Sequence, residues 1–135
     1  MQKMSPEKYR EMLDGIELHS ISLKTIKASV AYENLSERMD VFLEDEAFYE
    51  NDEDGFYVEN KYILVAKNKK RKNVLKIECI YLLHFSALEE ITDDFFEIYK
   101  EISLPLNVWP FFRELVNSIT LRMNIPPITL PLLKR

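Results

Sequence analysis

Between residues 16 and 33 the apolar side chains alternate as on a half-buried strand, but the alternation slips by one position twice. Ile16 and Leu18 share one parity, Ile21 and Leu23 the other, and Ile26, Ala28, Val30 and Tyr32 return to the first. Successive side chains on a strand point to opposite faces, so each slip would turn every later apolar residue toward solvent. One continuous strand tolerates this only with an extra residue bulged out at each slip. The expectation is a single long, kinked strand, which needs partners. They follow directly, in residues 38–50, 55–69 and 73–88, each rich in β-branched and aromatic residues.

Helices flank these strands. SPEKYREMLDG reads as a short helix with Ser5 as N-cap, Pro6 in its first position and Gly15 as its stop. In SALEEITDDFFEIYKEIS, Leu88, Ile91, Phe95, Ile98 and Ile102 form one helical stripe, widened by Phe96 and Tyr99, with Ser86 and Glu89 as a capping box. A last helix runs from about Asn107 to Met123, its start fixed by Pro110 and its apolar side made by Trp109, Phe112, Leu115, Val116 and Ile119. Asn124 and the Pro126-Pro127 pair end it, and the proline-broken tail is expected to run extended back over the domain. Strands first and helices afterwards indicate an α+β fold: a four-stranded antiparallel sheet with two C-terminal helices packed on one face and a short N-terminal helix. The length suits a single domain over residues 1–135.

The fourth strand is apolar on both faces. Leu75, Ile77, Cys79, Tyr81, Leu83 and Phe85 lie on one side, Ile80 and Leu82 on the other. Helices on one sheet face leave the other to water, so Ile80 and Leu82 indicate subunit packing or a partner groove, unless the monomer itself buries them.

A net charge of −5 and an apolar fraction of 47% describe a globular chain. That balance does not suit a nucleic-acid binder, which needs a basic face. No apolar run approaches the roughly 20 residues that span a bilayer, and MQKMSPEKYREML is too charged for a signal peptide. Cys79 is the only cysteine, so no intramolecular disulfide forms and the expected location is the cytoplasm.

No catalytic constellation emerges. His19 and His84 lie in strands without a local acid-base or metal partner, and Cys79 reads as a small core hydrophobe. Two glycines, Gly15 and Gly55, are too few for a phosphate-cradling loop. Glu50, Asp52, Asp54 and Gly55 imitate the start of a calcium loop, but Lys61 occupies the position of the bidentate glutamate and strands flank the segment. It reads as an acidic turn, and KNKKRKN at 67–73 as the charged tip of a hairpin. Neither enzyme, metal site nor cofactor is expected.

The C-terminal segment WPFFRELVNSITLRMNIPPITLPLL resembles the signature of SecB-type protein-export chaperones, through Trp109, Pro110, Phe111, Arg113, Glu114, Ser118, Arg122, Ile125, Pro126, Leu130 and Pro131. Four strands followed by a helix also fit that family. The resemblance implies a tetramer built as a dimer of dimers, with long apolar grooves that hold unfolded polypeptides without ATP. In such chaperones acidic side chains on the outer sheet face dock the SecA motor; only Glu78 matches here, because Thr25 and Ser29 stand where two other acids are expected. The glycine usual after the second arginine is Met123. The short N-terminal helix resembles SecB-like relatives that serve toxin-antitoxin systems, whose client is an aggregation-prone antitoxin.

An ATP-independent holdase for unfolded preproteins or an antitoxin-like client therefore leads. A non-chaperone interaction or structural subunit of the same fold is the alternative. A holder of many sequences needs adaptable apolar surface. Tyr32, Phe48, Tyr49, Phe56, Tyr57, Ile80, Leu82, Phe96 and Tyr99 are the candidates for client contact, with Glu44, Asp45, Glu46, Asp52 and Asp54 keeping the surface soluble. Arg113, Glu114 and Arg122 are expected to pair within or between subunits.

Overall fold

A computed structural model describes residues 4–128 and 130. Ser5 caps α1 (Pro6–Asp14), its hydroxyl accepting from the Lys8 amide at 3.1 Å. β1 (Ile16–Val30) leads through a 3-10 turn (Tyr32–Asn34) to β2 (Asp40–Asn51), β3 (Gly55–Lys67) and β4 (Asn73–Ala87). α2 (Asp93–Ile102) and α3 (Leu104–Arg122) complete the α+β fold. The strands form one antiparallel sheet in the order β1-β4-β3-β2, so β1 and β2 are its edges.

The parity slips of β1 resolve as bulges. Register shifts fall between Leu18 and Ser20 and between Leu23 and Thr25, leaving His19 and Lys24 as the extra residues. Leu18, Ile21, Leu23, Ile26, Ala28 and Val30 thereby all sit opposite inward-facing residues of β4. Tyr32 falls beyond the strand, in the 3-10 turn.

The core lies on one sheet face. Along β3, Phe56, Val58, Asn60, Tyr62, Leu64 and Ala66 are buried, while the residues between them are half-buried. Phe95, Phe96 and Tyr99 of α2, Leu104, Val108, Phe112 and Val116 of α3, and Met12 of α1 join that cluster. Aromatic contacts tie the layers: Tyr62 of β3 lies on Phe112 of α3 at 4.3 Å between ring centroids, and Phe85 of β4 meets Tyr99 of α2 edge-on at 5.8 Å. Asn60 is the polar residue among these buried positions of β3, and its amide donates to the Glu46 carbonyl of β2 at 3.0 Å.

Both C-terminal helices start elsewhere than the sequence suggests. β4 continues through Ser86 and Ala87, which pair with Glu17 and Ile16, so Ser86 and Glu89 form no capping box and Leu88 is 89% exposed. Thr92 caps α2 instead, accepting from the Phe95 amide at 3.2 Å, with Asp93 and Asp94 favourable at the positive end of the helix dipole. α3 begins at Leu104 with Pro105 in its first turn, and Pro110 lies inside the helix. Leu104 and Val108 bury against the core, which favours extending the helix upstream. Pro110 and Leu106 are both exposed, so water can serve the Leu106 carbonyl that loses its ladder partner.

The end of α3 is a Schellman motif. Asn124 takes the left-handed conformation at φ 58°, its amide donates to Leu121 and that of Ile125 to Thr120, and Ile125 is buried. Met123 keeps φ at −80°, so the glycine absent at that position is not required. Beyond it, Leu130 is buried and its carbonyl accepts from Arg113 Nε at 2.6 Å. Pro131 lies outside the described residues.

Candidate binding surfaces

The sheet face opposite the helices carries Ile80, Leu82 and His84 of β4, Tyr57, Glu59, Lys61, Ile63 and Val65 of β3, and Phe42, Glu44, Glu46, Phe48 and Glu50 of β2. Ile80 and Leu82 are half-buried there. Lys24, aimed by its bulge, reaches Glu59 at 2.6 Å, an ion pair that runs from β1 to β3 across β4. Tyr57 is half-buried beside them; its hydroxyl donates to Glu50 at 2.6 Å, and the bond to that carboxylate raises the phenol above its ordinary range.

Phe48 is 55% exposed at the sheet edge and the Tyr32 ring 56% exposed, its hydroxyl donating to the Met123 carbonyl at 2.6 Å. Tyr49 faces the core side of β2, half-buried. Its ring meets Phe96 at 4.8 Å and its hydroxyl donates to Asp93 at 2.6 Å, while burial and then that bond push the phenol up to about 12. Phe56, Phe96 and Tyr99 are core. Phe56 stacks on Phe85 at 4.4 Å, Phe96 is covered by Tyr49, and the Tyr99 hydroxyl accepts from Asn107 at 2.6 Å. The neighbours Phe56 and Tyr57 had to part, because adjacent strand residues face opposite ways.

The candidate set also omitted exposed apolar residues. Val41, Phe42 and Leu43 of β2 and Phe111 and Leu121 of α3 are all exposed. The shared parity of Phe42, Glu44, Glu46, Phe48 and Glu50 was a readable sign of one mixed aromatic and acidic face.

The signature residues lie on α3 and the segment that follows it. Trp109 is half-buried against Tyr62 and Phe112, Phe111 is exposed, and Arg122 Nε reaches Ser118 Oγ at 3.4 Å. Among the described residues, Arg113, Glu114 and Arg122 form no ion pair. Glu78 lies on the outer face between Lys27 and Ile63, with Thr25 and Ser29 on the adjoining strand.

Burial pushes the Cys79 thiol up to about 11. Asp52 closes the acidic turn by accepting from the Asp54 and Gly55 amides at 3.1 and 2.8 Å. Among the described residues no group of His, Cys, Asp and Glu is placed to hold a metal, and no helix is long and apolar enough to cross a membrane.

No protein-family model matches the chain, and no curated protein does. Solved structures do match. The Mycobacterium tuberculosis Rv1957 SecB-like chaperone, solved in complex with a ChAD peptide from the Rv1956 HigA1 antitoxin, superposes with a TM-score of 0.80 at 22% identity, over 95% of this chain and 98% of that one. This chain has the SecB-like fold. A protein of unknown function from Streptococcus agalactiae is more distant, with a TM-score of 0.54 at 9% identity over 87% of this chain and 97% of that one.

Proposed function

We propose that the protein is an ATP-independent holdase that keeps an unfolded or aggregation-prone polypeptide soluble by binding its extended apolar segments. The observation that carries this reading is β2. On one edge strand Val41, Phe42, Leu43 and Phe48 are exposed, interleaved with Asp40, Glu44, Asp45, Glu46 and Glu50. Exposed apolar residues on a long edge strand are a hazard in a protein with no use for them. The SecB-like fold, and a solved neighbour of that fold that holds an antitoxin peptide, support an antitoxin-like client over a general preprotein. Client contacts are assigned to Phe48, Tyr57, Ile80, Leu82, the Tyr32 ring and the exposed edge of Tyr49. Glu78 is the remaining candidate for motor docking, and the working state is a homo-oligomer, a tetramer in the reading by resemblance.

The experiment is light scattering of a chemically unfolded, aggregation-prone protein diluted into buffer with and without this protein, in the absence of ATP. Suppression at near-stoichiometric ratio is expected, reduced at least several-fold by the double substitution Phe42→Ser and Phe48→Ser at unchanged thermal stability. Equal aggregation with and without the wild-type protein would sink the holdase and leave an interaction subunit of the same fold.

A further inference from the structure

The exposed sheet face changes sign along its length. At one end lies the acidic turn of Asp52, Glu53 and Asp54; at the other the segment 67–72 carries five of the chain's 18 Lys and Arg residues. Lys69, Lys70, Arg71 and Lys72 are all exposed in the turn between β3 and β4, and Lys27 and Lys76 extend the positive area onto the outer face of β1 and β4. Among the described residues none of these six forms an ion pair. In a chain of net charge −5, carboxylates were available to neutralise them.

The turn holds a fixed shape. Asn68 Oδ1 accepts from the amides of Lys70 and Lys72 at 2.9 and 3.0 Å, and the Arg71 amide donates to the Asn68 carbonyl at 2.9 Å. Asn68 Nδ2 donates to the Asn34 carbonyl at 3.0 Å and Asn34 Nδ2 to the Asn73 carbonyl at 2.9 Å, which fastens the turn to the connection after β1. Cations on a clamped turn lose less freedom on meeting a partner than cations on a loose loop.

We propose that this end of the sheet is a docking surface for an acidic segment of a partner polypeptide, distinct from the Phe48 region, which lies roughly 27 Å away along the strand direction. Charge complementarity selects the partner. Asp40 stands opposite Lys67 in the sheet register, Glu78 opposite Lys27, and Glu33 lines one recess with Lys69, Lys70 and Lys72, so the surface suits carboxylates spaced along a chain rather than a uniform phosphate backbone. Exposed Leu35 and half-buried Val65 offer apolar contacts between the charges, which acidic peptides with aliphatic residues can match. The Phe42 ring at this end has Lys67 Nζ over it at 5.7 Å, which occupies a face that base stacking would need.

Fluorescence anisotropy of a labelled Asp/Glu/Leu peptide tests this, with its Asn/Gln/Leu counterpart and a single-stranded oligonucleotide of equal charge as controls. Binding of the acidic peptide alone is expected, weakening as salt rises from about 50 to about 200 mM. The triple substitution Lys69→Gln, Lys70→Gln and Lys72→Gln, which keeps every backbone donor of the turn, should weaken it at least tenfold. Lys27→Gln with Lys76→Gln, in the sheet and away from the turn, should weaken it several-fold. Circular dichroism checks that both variants fold, and client suppression by both should equal wild type, which separates this site from the holdase reading. Failure of the acidic peptide to bind, binding unchanged in both variants, or tighter binding of the oligonucleotide with the same sensitivity would each overturn the proposal.

Discussion

At Gly55 the backbone of β3 approaches β4 so closely that a Cβ would lie 2.1 Å from the Phe85 carbonyl oxygen and 2.7 Å from the Ser86 Cα. Neither is the end of a flexible side chain, so Gly55→Ala must push the two strands apart. A loss of about 2 kcal/mol or more is expected, read as a lower urea midpoint, whereas Gly15→Ala, with 3.5 Å of clearance, should change little. Cys79 makes a second residue-scale prediction. Its thiol moves from 9.0 to about 11 on burial, so the folded state holds the proton more tightly than the unfolded one. That contribution is complete below pH 9 and is lost as pH rises through 11; two units correspond to about 2–3 kcal/mol. Tyr62, Tyr81 and Tyr99, raised by burial from 10.0, add to the fall from about pH 10 upward. Urea melts between pH 8 and 10.5 should show stability falling, and Cys79→Ala should fall less steeply over that interval. If the two slopes coincide, the thiol is not what titrates.

Among the elements, β1 was the most legible, because its pattern of apolar residues has only one solution that keeps them on one face. The extra residues His19 and Lys24 fall in the two gaps the pattern leaves. Deleting Lys24 would make Leu23 and Thr25 adjacent, as their partners Tyr81 and Ile80 are, and keep Ile26, Ala28 and Val30 facing the core, so cooperative unfolding should persist. Lys24→Ala, which removes only a partly exposed ion pair, should cost under about 1 kcal/mol. The start of α2 was not legible. Ser86 and Glu89 satisfy the capping-box pattern, yet Ser86 pairs with both Glu17 and Gly55, and these long-range ladder contacts are invisible locally. Thr92→Ala should therefore cost about 1 kcal/mol and Ser86→Ala less, by thermal denaturation. The facing of aromatics failed to read for the same kind of reason. Phe56, Phe96 and Tyr99 have the composition of a binding surface, and only the sheet's choice of covered face buries them.

For the whole molecule, the two edge strands differ in what they can accept. β2 carries Asp40, Glu44, Asp45, Glu46 and Glu50 and no cation, so pairing two copies along it would set carboxylate against carboxylate. β1 carries Glu17, Lys24 and Lys27, nearly balanced, and on its core-facing side Leu23 and Ile26 remain 43% and 42% exposed beyond the reach of the helices. Self-association is therefore expected through β1, leaving the acidic apolar edge of β2 open for a client. Light scattering with size-exclusion chromatography should give a mass that is a multiple of the 16.1 kDa chain. Ile26→Lys, which places a charge on the β1 surface, should shift that mass downward by at least half, and Leu43→Lys on β2 should leave it unchanged while reducing client suppression. A mass that falls with Leu43→Lys and survives Ile26→Lys would reverse the assignment, placing the subunit contact on the acidic edge and the client on β1.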